Sequence, residues 1–502
     1  MGIILTFDVG TTSMKCCAFD TDFNVIEKTL TEYSLQTQGE HVVEADPEIY
    51  FDGLIKSISL MKEKGVDTSD VAAIGITTQG ETTVALGRDG KPVRNAIVWL
   101  DDRASDEAEE LSCEIPSDIF FRRTGMPEIG GALPLSKLKM LMREDSDRRI
   151  SKVLLLEDYL IYRLTGEYRT EHSLICSTGY YDIINRRMNG DFLSLAGADP
   201  SVLPEIGKCG DVAGLVTPEA SKLCGIKAGT PVVLTAMDQT CSAIGAGNVE
   251  EGVVSETTGT CLTVLSTVKR PDLTKPGPLQ FYTHYDDSFL ALAYDPTAAL
   301  LIKWLKDEFI KDTDGCKSSP LNAYDYMSSL AEKVPAGCDG LVALPQFAGK
   351  NVPDFCPDMR GTFYGLSVNT TKGHFVRAVM EGVAFMLREN LDCLAKSGIS
   401  AREIRSLGGG SRDLLWTKIK ASVTGKKLVT LENEESTSLG AAILAAKGVG
   451  VINDVRTAAK KAVRTRDTFL PDERERKIYD ETYAKYLRLD RAIRGFVGRS
   501  DF

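Results

Sequence analysis

The chain has 502 residues, of which 43% are hydrophobic and 26% are charged, and its formal net charge is −12. This length is more than one ordinary domain needs and allows two large domains or three smaller ones, each with its own core. The acidic balance argues against a general nucleic-acid-binding protein, because such proteins carry basic surfaces. It leaves open the binding of a nucleotide at a local site.

The cysteines and the apolar stretches indicate the cellular compartment. Twelve cysteines are scattered without a C-x-x-C pair, and the four histidines form no zinc-like spacing with them. We therefore expect free thiols in a reducing cytoplasm. The N-terminus lacks a signal-peptide pattern, and apolar stretches such as Leu439–Ala446 are too short to span a membrane. A cytoplasmic protein without a membrane partner is predicted.

The stretch Ile3–Lys15, with the sequence IILTFDVGTTSMK, predicts a strand–turn–strand. Ile3–Phe7 is an apolar run typical of a buried strand, Gly10 permits a tight turn, and Cys16–Phe19 returns as a strand. The polar side chains in and beside the turn are Asp8, Thr11, Thr12, Ser13 and Lys15. Amides and hydroxyls of such a tip can hold a phosphate, and the carboxylate can hold a hydrated Mg²⁺. The stretch alone is equally compatible with a plain hairpin that has a polar tip.

The first half continues as alternating strands and helices. The strands are predicted at Val25–Thr31, Val71–Thr77, Ala96–Leu100 and Val232–Thr235, and the helices from Asp46 to Leu60, from about Ser105, at Leu135–Arg143 and at Glu157–Leu164. Asp46 is expected to cap the first of these helices. Two strands end in polar clusters, Thr78–Thr83 and Asp238-Gln239, and ligands gather at such strand ends in α/β sheets.

Each polar side chain of these clusters has two interpretations at this point. Gln79 and Glu81 either bind sugar hydroxyls or satisfy loop amides. Trp99 is either core or an apolar wall for the carbon face of a sugar. Asp238 is either a helix N-cap or a general base that takes a proton from an attacking hydroxyl.

The second half repeats the opening pattern about 250 residues later, because Gly252–Glu256, a Thr-Thr-Gly-Thr tip and Cys261–Leu265 predict another strand–turn–strand. The remaining elements are helices at Ala298–Lys306, at Arg377–Leu394, from about Asp413, after Glu435–Ser438 and from Glu473, strands at Ile404–Leu407 and Lys427–Leu431, and a surface loop at Asp312–Leu321. The glycine run Gly408–Ser411 is either an ordinary turn or a backbone surface for a base or phosphate. Gly440-Ala441-Ala442 is typical of close helix packing.

The order and spacing of these motifs resemble the FGGY family of carbohydrate kinases over nearly the whole chain. The matching motifs are DVGTTSMK at 8–15, TTQGETT at 77–83, AIVWLDDR at 96–103, AMDQ at 236–239, TTGT at 257–260, LGGGSRD at 407–413 and TSLGAA at 437–442. The resemblance implies an α/β fold of two ribonuclease-H-like domains of the actin-like ATPase type around a central cleft. It implies a sugar-binding domain at 1–250 that carries the first phosphate motif, and an ATP-binding domain at 251–502.

The resemblance also implies a role for each motif residue, with ATP and Mg²⁺ as cofactors. The expected cofactor-binding residues are Asp8, Gly10, Thr11, Thr12, Ser13 and Lys15 in the first phosphate motif, Gly259 and Thr260 in the second, and Gly409, Gly410, Ser411 and Asp413 in the adenosine motif. Asp8 is expected beside the metal ion, and Asp238 matches the catalytic base. The expected sugar-pocket residues are Gln79, Gly80, Glu81, Trp99 and Gln239.

Departures from the family patterns bear on the substrate. Gly80 stands where glycerol kinases carry an arginine, and Ala132 aligns with their pocket tyrosine. The histidine of the xylulokinase Gln-Met-His-Gly pattern is missing, and Met237-Asp238-Gln239 replaces Gly-Asp-Asn. We expect a small-molecule ketose or polyol larger than glycerol, with a pentulose such as xylulose first. The alternatives are a glycerol or tetritol kinase, and an actin-like or chaperone-type ATPase without a sugar substrate. The oligomeric state stays open, with a homodimer as one candidate.

Overall fold

A computed structural model describes residues 2–498 as a mixed α/β protein. Its strands are β1 (Ile3–Val9), β2 (Ser13–Phe19), β3 (Val25–Glu32), β4 (Gln36–Gln38), β5 (Val42–Ala45), β6 (Val71–Thr78), β7 (Thr83–Gly87), β8 (Ala96–Ile97), β9 (Ile150–Leu155), β10 (Arg169–Glu171), β11 (Tyr181–Asp182), β12 (Arg187–Met188), β13 (Glu205–Gly207), β14 (Val212–Leu215), β15 (Pro231–Leu234), β16 (Val253–Thr258), β17 (Leu262–Val268), β18 (Gln280–Thr283), β19 (Phe289–Asp295), β20 (Val342–Leu344), β21 (Thr362–Tyr364), β22 (Glu403–Leu407), β23 (Lys427–Leu431) and β24 (Thr465–Phe469).

The helices lie between these strands. They are α1 (Glu48–Glu63), α2 (Ser105–Glu114), α3 (Ser117–Thr124), α4 (Pro134–Glu144), α5 (Leu156–Thr165), α6 (His172–Ile175), α7 (Gly190–Leu195), α8 (Pro218–Cys224), α9 (Asp238–Gly245), α10 (Ala299–Leu305), α11 (Asp314–Lys317), α12 (Ala323–Glu332), α13 (Lys372–Lys396), α14 (Leu414–Thr424), α15 (Ser436–Gly448), α16 (Val455–Ala462) and α17 (Glu473–Phe496). None of the helices formed by residues 2–498 combines the length and hydropathy that a transmembrane segment requires.

The chain divides into two compact units, and both are discontinuous in sequence. The first unit comprises the residues up to Val249 together with Lys269–Leu290 and Glu435–Val463. The second comprises Glu250–Val268, Ala291–Glu434 and the described residues from Arg464 onward. The predicted domains at 1–250 and 251–502 meet at a single boundary, which lies next to the first division between the two units at Val249 and Glu250. They differ from the observed units because two later segments pack with the first unit.

The first unit is built on a six-stranded sheet with the order β14-β15-β6-β1-β2-β3. β1 pairs in parallel with β6, and β6 pairs in parallel with β15, whereas β2 is antiparallel to β1. Side chains of β1 alternate between two cores: Leu5 and Phe7 face one, and Ile4 faces the other. Both faces of β1 are therefore buried, which explains the continuous apolar run in its sequence.

The second unit repeats this strand order within a seven-stranded sheet, where β17, β16, β22, β23 and β24 are consecutive neighbours. β16 is antiparallel to β17 and parallel to β22, and β22 is parallel to β23. The pattern β17-β16-β22-β23-β24 thus corresponds to β2-β1-β6-β15-β14. The weak internal repeat predicted from the two Gly/Thr hairpins is confirmed by this topology.

Several local predictions differ from the structure. The strand predicted at Ala96–Leu100 is only Ala96–Ile97, because the Asp101 N–H bonds back to the Val98 carbonyl and turns the chain. The loop predicted at Asp312–Leu321 contains the short helix α11. Helix α15 begins at Ser436, inside the Glu435–Ser438 stretch that was predicted to precede it, and its N-cap residue Glu435 makes no capping hydrogen bond. Asp46 does bond to the start of α1, since its Oδ1 accepts from the Glu48 N–H at 3.0 Å, but the N-cap position itself is occupied by Pro47.

Helices α9 and α15 pack backbone against backbone at two glycines, as the sequence predicted for the 440–442 stretch. A Cβ at Gly440 would lie 1.9 Å from the Cys241 carbonyl oxygen, and one at Gly245 would lie 1.8 Å from the Ser436 carbonyl oxygen. No side chain fits either contact without moving a helix. This packing fixes α9, the helix that begins at Asp238.

We expect Gly440→Ala to lower the free energy of unfolding by about 1–3 kcal/mol, because the new methyl group forces α9 and α15 apart. The matched control is Gly495→Ala in α17, where a Cβ meets nothing within 4 Å. The control should be neutral or slightly stabilising, since alanine favours a helix over glycine. Denaturant titration measures both variants, and equal effects on the two would contradict the packing argument.

Candidate active site

The first Gly/Thr hairpin is held by side chains from elsewhere in its unit. The Gly10 N–H bonds to the Ser13 carbonyl at 2.9 Å, which closes the turn. The Tyr33 hydroxyl donates to the Gly10 carbonyl. Trp99 Nε1 donates to Thr11 Oγ1 at 3.0 Å. The indole thereby joins the predicted sugar-pocket residue Trp99 to the predicted phosphate loop.

Lys15, at the start of the returning strand, is half-exposed and already has an ionic partner. Its Nζ lies 2.5 Å from Glu435 Oε2, and Lys28 Nζ lies 3.0 Å from the other oxygen of that carboxylate. Glu435 is the residue immediately before α15. The positive charge predicted for phosphate binding is therefore shared with a carboxylate of the same unit.

Parallel pairing brings the polar ends of three strands together. Asp8 on β1 is opposite Thr77 on β6, and Ile76 on β6 is opposite Leu234 on β15. The residues that follow β6 and β15 are Gln79–Glu81 and Asp238, so they emerge at the same edge of the sheet as Asp8. The sequence-predicted base and sugar-pocket residues of the first unit are thus neighbours of its phosphate hairpin.

The carboxylates at this edge influence one another. Burial raises the pKa of Asp238 to about 7, and the negative charges of Asp8 and Glu81 contribute to the rise. Burial also raises the pKa of Asp8 to about 6, against the opposing effect of the Lys15 charge. Asp238 is the first residue of α9, whereas Met237 occupies the N-cap position. The N-cap interpretation of Asp238 is therefore wrong, and the carboxylate is free of that structural duty.

Gln79 and Glu81 present polar groups beside Asp238. Gln79 is 5% exposed, and neither polar atom of its carboxamide has a hydrogen-bond partner of ordinary geometry among the described residues. Its backbone N–H bonds to the Val9 carbonyl at 3.0 Å. Burial raises the pKa of Glu81, and the Ser177 hydroxyl and the Lys137 charge oppose that rise. A buried amide without a partner is costly unless a ligand supplies one.

The space beside Gly80 is filled. A Cβ at this glycine would lie 3.0 Å from Met237 Sδ and 3.3 Å from Ser177 Oγ. A side chain at position 80 would therefore begin directly against Met237 and Ser177. Gln239, the residue after the candidate base, is half-buried and hydrogen-bonds to Asp238, which lowers the pKa of that carboxyl.

Lys137 is a charged residue near this site that sequence reasoning missed. It lies on α4 with no exposed surface, and its Nζ donates to the Val98 carbonyl at 2.9 Å, one residue before Trp99. Burial lowers the pKa of Lys137 to about 8, against the effects of Glu81 and Asp101. A lysine in the apolar face of α4 was the only signal in the sequence.

The second Gly/Thr hairpin and the glycine run meet in the second unit. The Gly259 N–H bonds to the Cys261 carbonyl at 3.0 Å. Gly408 has a φ of 74°, a left-handed conformation that favours glycine. Gly410 packs on the preceding hairpin, because its Cβ would lie 2.7 Å from Thr258 Cγ2. Gly409 is exposed and has no heavy atom within 4 Å of an added Cβ, so its backbone is accessible to a flat ligand.

The other residues predicted to bind the nucleotide are either hydrogen-bonded within the protein or exposed to solvent. Ser411 Oγ donates to the Gly408 carbonyl at 2.8 Å and closes the glycine turn. Asp413 Oδ1 accepts from the Trp416 N–H at 2.9 Å and caps α14. Thr12 and Thr260, at the tips of the two hairpins, are exposed. The structure therefore places the predicted residues in two clusters, one in each unit.

Comparisons with known proteins agree with this geometry. A family model described as the FGGY family of carbohydrate kinases, N-terminal domain, matches residues 3–245, and the C-terminal domain of that family matches residues 254–449. A gluconokinase from Bacillus licheniformis is 26% identical over 98% of this chain and 96% of its own length. A glycerol kinase from Shewanella amazonensis is 28% identical over 94% of this chain and 96% of its own.

A solved structure agrees as well. The crystal structure of xylulose kinase from Rhodospirillum rubrum has a TM-score of 0.87 to this chain at 27% identity, covering 99% of this chain and 100% of the other. The chain belongs to the FGGY family of carbohydrate kinases. It is a phosphotransferase with an alcohol group as acceptor, and its two units have the predicted ribonuclease-H-like, actin-like ATPase architecture. This membership sets aside the alternative of a chaperone-type ATPase without a sugar substrate.

We expect Asp238→Asn to lower kcat by about 10²–10⁴-fold, because the amide cannot accept the proton of an attacking hydroxyl. Thermal unfolding and ATP binding should stay near those of the wild type, since Asp238 makes no N-cap. The matched control is Asp191→Asn, another aspartate in the first turn of a helix, which is exposed. Near-normal turnover of a folded Asp238→Asn variant would remove this residue from the mechanism.

Proposed function

We propose that this kinase transfers the γ-phosphoryl group of ATP to a hydroxyl of a neutral, open-chain ketose, with a pentulose such as xylulose as the preferred acceptor. The observation that supports the proposal most is the group of side chains at the carboxyl ends of β1, β6 and β15. It combines a candidate base, Asp238, with the buried amide of Gln79 and the half-buried carboxylate of Glu81. These groups suit an acceptor that has several hydroxyls.

Asp238 is assigned to the proton transfer. As the acceptor oxygen forms its bond to phosphorus, the bond to the departing ADP oxygen breaks and the hydroxyl proton passes to Asp238. A carboxyl whose pKa lies near neutrality is well matched to this task. Gln79 and Glu81 orient the other hydroxyls, and the half-buried indole of Trp99 lies against the carbon skeleton.

The two Gly/Thr hairpins are assigned to the phosphates of ATP. The amides of Thr11 and Thr12 and of Thr260, beyond the two glycines whose N–H groups close the turns, donate to phosphate oxygens, as such turns do in many anion sites. The Gly409–Ser411 backbone lies against the adenosine, and Asp413 supports that loop by capping α14. In this proposal the first unit supplies the sugar site and the second supplies most of the nucleotide site.

Asp8 is assigned to Mg²⁺. Its carboxylate oxygens are hard ligands, and a single protein carboxylate is typical of a Mg²⁺ ion that keeps several waters. Among residues 2–498 no group of three or more His, Cys, Asp or Glu side chains could hold a metal by itself, which agrees with an ion shared with ATP. When bound, Mg²⁺ neutralises the charge that develops on the transferred phosphoryl group.

The charge of the site favours a neutral acceptor over a sugar acid. Asp8, Glu81 and Asp238 are acidic, whereas the nearby cations Lys15 and Lys137 already interact with Glu435 and with the Val98 carbonyl. The carboxylate of an aldonate such as gluconate would lie among these acids without a partner of its own. Like charges at short range are unfavourable in a partly desolvated site.

The number of hydroxyls favours a pentulose over glycerol. A triol can use one hydroxyl for attack and leaves two for Gln79, Glu81 and Gln239. Position 80 carries no arginine to fix it, and the space there is filled by Met237. A five-carbon ketose can engage all three polar side chains. Glycerol or a tetritol is the second candidate, because a glycerol kinase is among the related proteins.

We expect an assay coupled to ADP release to give the highest kcat/KM for xylulose in a panel of pentuloses, tetritols, glycerol and gluconate. Discrimination of about 1–3 kcal/mol against glycerol is the usual scale for one or two pocket contacts. Asp238→Asn, run with each acceptor, is the control, and it should lower every rate by a similar factor. A higher kcat/KM for glycerol or gluconate than for every pentulose would overturn the assignment of the acceptor.

A further inference from the structure

We propose that a buried ion pair, Glu256–Lys420, positions the nucleotide by fixing the second phosphate hairpin against the glycine loop. The inference rests on the proposed function, which assigns these two loops to ATP. Neither residue belongs to a motif that the resemblance singles out. Both are positioning residues that act through the loops they hold.

The pair is completely enclosed within the second unit. Lys420 Nζ lies 2.8 Å from Glu256 Oε1, and both side chains have 0% exposure. Lys420 Nζ also donates to Thr258 Oγ1 at 2.7 Å, and Thr258 Oγ1 donates to Glu256 Oε2 at 2.7 Å. The ammonium group lies 5.1 Å from the centre of the Trp416 ring. Every part of the pair is therefore in a directional contact.

Each end of this network leads directly into one of the two loops. Thr258 is the last residue of β16 and precedes Gly259 at the hairpin tip. Ser406 Oγ donates to Glu256 Oε1, and Ser406 lies opposite Glu256 in the parallel pairing of β16 with β22. Two residues after Ser406 the glycine loop begins, and its Gly410 packs on Thr258. The ion pair thus links the bases of both loops.

Stability alone does not account for such a pair. Moving two charges out of water is costly, and apolar side chains of similar volume usually fill such a place at no loss of stability. A buried ion pair differs from an apolar contact in its directionality, since it holds only when its partners occupy fixed positions. Here the partners it fixes are Thr258 and Ser406. The presence of the Glu256–Lys420 ion pair is explained if ATP binding requires a fixed geometry of the two loops.

The test replaces the pair by a neutral, apolar one, Glu256→Met with Lys420→Met. The expected result is a folded protein with a moderately lower thermal unfolding midpoint, because no charge is left unpaired but the buried hydroxyls of Thr258 and Ser406 lose these hydrogen bonds. ATP affinity by calorimetry and kcat/KM for ATP should both fall, by up to about 10²-fold for a misplacement on the 1 Å scale. KM for the sugar should stay unchanged, since the sugar residues belong to the first unit.

A matched pair in the same unit serves as the control. Lys350 Nζ lies 3.0 Å from Glu389 Oε1 in a similarly buried ion pair, whose further partner is Asp490. Lys350→Met with Glu389→Met removes the same two charges from a place that borders neither loop. We expect its ATP affinity to equal that of the wild type. Equal losses of ATP affinity in both double variants would overturn the proposal, because they would mean a general loosening of the unit.

If the double methionine variant does not fold, a milder variant tests the same positioning role. Ser406→Ala deletes one hydroxyl from β22 and removes a single hydrogen bond to Glu256. A several-fold weaker ATP affinity with unchanged KM for the sugar supports the positioning role, and unchanged ATP affinity overturns it. Calorimetry with ATP alone keeps this result separate from the acceptor assay. A wild-type protein that binds ATP but phosphorylates no neutral sugar would overturn the proposed acceptor and leave the positioning role standing.

Discussion

The parallel pairing of β1 with β6 and of β6 with β15 is the constraint on which the proposed sugar site of the first unit depends. It aligns three strands in one direction, so that the residues following each of them emerge at one edge. A shift of one residue in any of these registers would turn Asp8 or Thr77 to the opposite face of the sheet. The two apolar cores prevent such a shift, because Leu5 and Phe7 belong to one and Ile4 to the other. The placement of the acidic groups therefore follows from how the hydrophobic residues pack.

The second unit repeats the same arrangement with a different loop at one strand end. β16 and β22 correspond to β1 and β6, and the loop that follows β22 is rich in glycine where the loop that follows β6 has Gln79 and Glu81. Side chains can reach hydroxyls at defined points, whereas exposed backbone suits a flat ring or a phosphate. One topology thus presents a side-chain surface in one unit and a backbone surface in the other. The duplicated strand order positions the loops in both units, and the loop sequences determine whether side chains or backbone groups are presented.

The sequence predicted the features that depend on local patterns. Both hairpins, the strand ends that carry Gln79 and Asp238, and the small-residue face of α15 are visible as apolar runs followed by glycine or polar residues. Features that depend on distant pairing were missed. Lys420 lies in a helix whose pattern gives no indication that its ammonium group is buried, and the only signal for Lys137 was its position in the apolar face of α4. The Trp99–Thr11 hydrogen bond joins residues 88 positions apart, and no local sequence pattern predicts it.

Helices α15 and α16 pack on the first sheet although they follow all but the last strand of the second unit in sequence. Ile4, Ala73 and Val233 are covered in part by apolar residues of Leu439–Ala446 and Val455–Ala459, which are synthesised long after the strands of the first sheet. During synthesis this face of the first sheet therefore lacks part of its cover until α15 and α16 have been made. A fragment that ends at residue 250 would lack the same cover. The core of the first sheet is thus completed only after most of the second half has been synthesised, although each half contains a complete copy of the sheet pattern.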